Sequence, residues 1–108
     1  MLRFISNYII LPWGRVLHNQ VLSIDDGRLV EIQPFSGELA YTIYVSNPIL
    51  IIPVDEASTI NNMFESSTDM PEFCNLLDQC HFSQRMESGD LVTALELDFQ
   101  QHYISKLC

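Results

Sequence analysis

Apolar residues alternate or run continuously through the first half of the chain and recur at helical spacing in part of the second. Residues 3–11 are rich in Phe, Ile and Tyr, which suits a strand buried on most of its surface. Pro12-Trp13-Gly14 interrupts it, and residues 16–24 form a second extended stretch. Asp25-Asp26-Gly27 follows. Asp-Gly between apolar runs marks a hairpin, because both residue types tolerate positive φ, and Gly27 is expected to have it. The return strand runs from Arg28 to Ile32, with Val30 and Ile32 on one face opposite Glu31. Pro34 and Ser36-Gly37 end it. Residues 39–52 carry the densest β-branched and aromatic content, with a bend expected at Asn47-Pro48 because proline cannot donate to a ladder.

The pattern changes after Pro53. Ala57, Ile60, Met63 and Phe64 are spaced like one face of a short helix. Asp69-Met70-Pro71-Glu72 is a stronger signal: Asp69 can cap, Pro71 falls in the first turn, and Glu72 suits the helix dipole. Met70, Phe73, Cys74, Leu77 and either Cys80 or His81 then share a face, which predicts a helix over 70–80. Gly89 breaks the next stretch. Leu95, Leu97 and Phe99 alternate with Glu96, Asp98 and Gln100, predicting a last strand over 93–99, with its extension through Tyr103 and Ile104 left open. The expected fold is mainly β (α+β): a small antiparallel β-sandwich or open barrel of five to seven strands, with one or two helices in the second half.

At 108 residues the chain is read as one domain, 1–108, with a helical insertion at about 55–82. An apolar fraction of 47% with 18% charged residues describes a globular chain, and a mean hydropathy of +0.11 leaves apolar surface for a partner. Net charge is −9, and no cluster of Lys or Arg exists to displace counterions, so neither nucleic acid nor anionic membrane is expected as a partner. Between Val54 and Asp98 lie ten acids and one base, Arg85. That half suits either a solvated face or a cationic partner. Cys74, Cys80 and Cys108 give an odd count without CxxC spacing, which fits a reducing cytoplasm rather than a disulfide framework. Residues 1–12 faintly resemble a signal peptide, but Ser6 and Asn7 break the apolar run and no small-x-small cleavage site follows. No apolar run approaches a membrane span.

The order of these elements carries a resemblance. Asp26-Gly27-Arg28-Leu29-Val30-Glu31-Ile32 followed by Leu50-Ile51-Ile52-Pro53 resembles the amino-terminal segment of metal-dependent hydrolases of the amidohydrolase superfamily. In that family such strands, joined by a short carboxy-terminal segment, build a small β-sandwich, the composite domain, beside a catalytic barrel. The resemblance covers the first half of the chain. It implies that Leu95 to Leu107 supply the returning strand and that the helix over 70–80 covers the sheet, with Phe73 and Leu77 inward and Glu72 and Asp78 in water. The departure is equally clear. The family continues with Gly and a metal-binding His-x-His, whereas this chain reads Pro53-Val54-Asp55-Glu56-Ala57-Ser58-Thr59. The roughly 55 residues after Pro53 are too few for an eight-fold barrel, which needs about 200 or more.

Little else in the chain suggests catalysis. Cys74 and Cys80 are six apart, roughly 120° from one another around a helix, so they do not form a chelating i, i+4 pair with His81 as a third ligand. His18 and His102 stand alone, Asp25 and Asp26 are turn residues first, and no serine sits in a G-x-S-x-G context. With four Gly there is no phosphate loop. The expectation is therefore no catalytic residue, no metal and no cofactor. Two functions of different kinds remain: a non-catalytic module that associates with itself or another protein, or a small-ligand or regulatory domain with a pocket between sheet and helices. For association, Trp13 and Tyr41 are the candidate surface aromatics. Tyr8 and Tyr44 are assigned to the core.

Overall fold

In a computed structural model, residues 1–35, 37, 42–80 and 86–108 are described. Among these residues seven strands form one mixed sheet: β1 (Leu2–Ile10), β2 (Val16–Asp25), β3 (Arg28–Pro34), β4 (Thr42–Tyr44), β5 (Ile49–Pro53), β6 (Val92–Asp98) and β7 (Tyr103–Lys106). Between β5 and β6 come a 3₁₀ turn, Val54–Thr59, and two helices, α1 (Ile60–Glu65) and α2 (Met70–Gln79). The fold is mainly β with its helices in the second half, as the pattern predicts, and the sheet does not close into a barrel. Its order is β3-β2-β1-β5-β6-β7, with β4 also on β1. Residues 39–41 of the expected fourth strand lie outside the described residues, and the bend at Asn47-Pro48 separates β4 from β5.

Strand β1 lies inside the sheet. Along one edge it pairs antiparallel with β2; along the other it pairs in parallel with β4 through residues 3–5 and with β5 through Ile9 and Ile10. The bend between these two partners is clamped. Ser6 Oγ donates to the Asn47 carbonyl at 2.8 Å, and Asn47 Nδ2 donates to Glu96 Oε2 at 2.8 Å, so side chains tie β1 and β6 to the bend between β4 and β5.

The β2–β3 turn forms as expected, with Asp26 at φ 52° and Gly27 at φ 73°. The face assignment of β3 differs from the alternation. The β2–β3 register shifts by one residue between Ser23 and Ile24, leaving Val30 without a partner. That extra residue puts Leu29 and Ile32, three apart, against the same core, while Val30 joins neither core cluster. Strict period two cannot see such a bulge.

The sheet curls. The hairpin tip reaches the approach to β6 through Leu29 N to Asp90 O (2.9 Å), Gly89 N to Leu29 O (2.7 Å) and Val92 N to Gly27 O (2.9 Å). Inside the curl lies one core cluster, including Phe4, Ile9, Leu22, Ile24, Ile49 and Ile51. The opposite face packs Ile10, Leu50, Ile52 and Leu97 against Ile60, Met63 and Phe64 of α1 and Phe73 and Leu77 of α2. Helix α2 begins where the pattern places it, with Asp69 Oδ1 accepting from Glu72 N at 2.9 Å and Pro71 in the first turn. Phe73 and Leu77 are fully buried, Glu72 and Asp78 exposed. Burying each of those two apolar side chains contributes about 1.5–3 kcal/mol.

The second half completes the sheet. Strand β6 pairs antiparallel with β5 from Pro53↔Val92 to Ile49↔Glu96, and β7 pairs with β6. Leu95, Leu97 and Phe99 all face the helical side. The last strand does not continue straight through Tyr103; it turns at 99–102, where Asp98 Oδ1 accepts from Gln100 N and Gln101 N, and returns as β7.

Candidate interaction surface

Asp25, Asp26 and Gly27 serve the turn. Asp25 is exposed and lies 3.5 Å from the Met1 amino group, an arrangement worth little energetically at the surface. Trp13 is half-buried against the core inside the curl. Tyr41 lies outside the described residues. Tyr8 and Tyr44 overturn their assignment to the core: both are exposed, Tyr44 to 63%. Tyr8 instead meets His18 edge-on, ring centroids 5.3 Å apart. Tyr44 is exposed because β4 is three residues long and, among the described residues, pairs only with β1. A short edge strand leaves its outward side chain without a neighbour to cover it.

Exposed apolar groups gather there. Ile43 and Tyr44 on β4 are exposed, as are Met1 and Leu2 at the start of β1, and the register sets Arg3 beside Thr42 and Phe4 beside Ile43. None of the six residues Met1, Leu2, Arg3, Thr42, Ile43 and Tyr44 is acidic, in a chain with fourteen acids.

The helices form a second surface. An open groove of about 370 Å³ is lined by Thr59, Asn62, Met63 and Ser66 from the α1 side and by Leu76 and Cys80 from α2. Leu76 and Cys80 are four apart, so they share one stripe of the helix, which Glu72 heads one turn earlier. Glu56 precedes the groove-lining Thr59, whose Oγ1 donates to the Glu56 carbonyl at 3.0 Å; one carboxylate oxygen, Oε2, is buried with no hydrogen-bond partner among the described residues.

Cys74 is half-buried in the helical core and Cys80 is exposed; Cys108 is half-buried on the other face. Burial pushes the Cys74 thiol pKa up. It does the same at Cys108, against smaller lowering effects from the Ala94 backbone and Lys106. His102 stacks on Phe64 at 4.7 Å, while His81 lies outside the described residues. Among the described residues no group of three or more His, Cys, Asp and Glu is placed to hold a metal, and no helix is long and apolar enough to cross a membrane.

Sequence reasoning missed both the exposed strip and the groove. The spacing of Met63, Leu76 and Cys80 contained part of the groove, but which side chains face each other across two helices depends on tertiary packing. Comparisons with protein-family models, curated proteins and solved structures gave no match.

Proposed function

We propose that this chain is a non-catalytic β-module, resembling the composite domain of metal-dependent hydrolases, that works by associating with protein, either a second copy or another chain. The observation that carries this is the pair of exposed apolar side chains, Ile43 and Tyr44, on β4 beside the start of β1. Exposed Ile43 and Tyr44 on β4, beside exposed Met1 and Leu2 at the start of β1, supply apolar anchors for a partner. The same reading puts the module in a reducing cytoplasm, in keeping with three free thiols.

Solution mass measured across a concentration series tests it, with Ile43→Lys as the variant because Ile43 is exposed and a lysine there leaves the core intact. The wild type should shift toward a dimer in the low micromolar range and Ile43→Lys should stay monomeric. A wild-type monomer at every concentration removes self-association and leaves only a different chain as partner. Metal analysis tests the non-catalytic half: an equivalent of tightly held zinc, lost in a Cys74→Ser, Cys80→Ser double variant, would replace this reading with a metal site.

A further inference from the structure

The 3₁₀ turn and the two helices carry Asp55, Glu56, Glu65, Asp69, Glu72 and Asp78, and no Lys or Arg lies between residues 54 and 80. Nothing in that stretch neutralises these charges, and one carboxylate oxygen of Glu56 is a buried acceptor without a partner among the described residues. The groove within this layer has the opposite character. Met63 and Leu76 line it with apolar surface, and Thr59, Asn62, Ser66 and Cys80 join them; among the described residues no charged side chain lines it. An uncharged, partly apolar floor inside an acidic layer has a complementary shape: an apolar side chain flanked by cations. Peptide helices that dock in grooves present such side chains at i, i+3 and i+4.

We propose that the α1/α2 groove docks a basic amphipathic segment of a partner protein, with an apolar anchor between Met63 and Leu76 and lysines or arginines against the acids of the two helices. The proposal rests on the association reading and names a second face for it, remote in sequence from the β4 strip. Charge selects the occupant. A second copy would bring its own acidic helical layer, and nucleic acid or an anionic bilayer would bring phosphates; each is repelled by the acids of this layer. A cationic segment gains both steering and an apolar contact.

The four methionines make the test local. Met63 lines the groove, Met1 lies beside the β4 strip, Met70 packs at the helical core and Met86 packs on the core inside the curl. With methyl-labelled methionine in the full chain, the probe is a synthetic helical peptide of about 14 residues, lysine on one face and leucine on the other. Its controls are a lysine/glutamine peptide of equal charge and a glutamate/leucine peptide of equal hydrophobicity. The Met63 methyl signal should shift saturably with the lysine/leucine peptide and with neither control. Glu65→Lys with Glu72→Lys, both on exposed positions and Glu72 on the stripe of Leu76 and Cys80, should weaken binding by about tenfold or more while the free protein's Met63 signal stays in place. An unmoved Met63 signal, an equal response to the lysine/glutamine control, or unchanged affinity in the charge-reversed variant overturns the groove. A response at Met1 in place of Met63 also overturns it, yet leaves association through the β4 strip standing. The two readings therefore fail separately.

Discussion

Gly14 and Gly27 both close connections at the ends of β2, and both have positive φ, 89° and 73°. Their surroundings are opposite. A Cβ built on Gly27 would meet nothing within 4 Å, whereas one on Gly14 would lie 2.5 Å from the backbone carbonyl oxygen of Cys74 in α2. Gly27 is required by its own backbone conformation. Gly14 is required by that and by a helix sixty residues away in the chain, which approaches the β1–β2 turn too closely for any side chain. The Asp-Gly turn can be recognised from adjacent residues alone, while the demand at Gly14 exists only after α2 has docked on the sheet.

Breaking the tertiary demand should have the largest effect. Gly14→Ala combines a left-handed conformation, about 1–2 kcal/mol, with overpacking against backbone, about 1–3 kcal/mol, so denaturant unfolding should show a loss of about 2–5 kcal/mol. Its signature is directional. Because Cys74 lies on the displaced helix, its half-buried thiol should react faster with a thiol reagent in Gly14→Ala, and an unchanged rate would mean that α2 had not moved. Gly27→Val should cost less, about 1–2 kcal/mol, from backbone conformation alone, and should leave the Cys74 rate as it was. Equal effects from the two substitutions would erase the distinction.

A smaller effect isolates α2 itself. Asp69→Ala removes the cap on Glu72 N and should cost about 1 kcal/mol by the same unfolding measurement, without altering the turn at Gly14. The smallest is pH-linked. Burial raises the pKa of the Cys74 and Cys108 thiols above the ordinary 9.0, so the folded state holds those protons more tightly than the unfolded chain. The contribution is fully present below the ordinary value and is lost as pH rises through the folded-state values. The urea midpoint should fall between about pH 8 and about pH 10, and fall less in Cys74→Ser. A midpoint that rises over that range contradicts the sign.

The same division explains which elements could be read in advance. The Asp25-Asp26-Gly27 turn, the Asp69 cap with Pro71, and the inward pair Phe73 and Leu77 all follow from residues at most eight positions apart. Those were legible. The parallel pairing of β1 with β4 and β5 joins segments about forty residues apart, and nothing in either strand's alternation encodes direction. Val30 lost its predicted face to a one-residue register shift, and Tyr44 its predicted burial to the shortness of β4. The groove was beyond the pattern for the same reason as Gly14: its two walls meet only in the packed molecule.

Strand β5 has a consequence for how the protein is made. Ile49, Leu50, Ile51 and Ile52 are all fully buried, each face against a core and each edge against a neighbouring strand. One of those neighbours, β1, has already been synthesised when β5 appears; the other, β6, begins about forty residues later. A ribosome adding about 5–20 residues per second takes about 2–8 seconds to cover that distance. Throughout that interval an uncharged, isoleucine-rich strand has an open edge, and until α1 and α2 have been made it has no helix over its face, the kind of segment that pairs with identical segments on other nascent chains. The hazard belongs to translation, and slowing the ribosome between Pro53 and Val92 prolongs it.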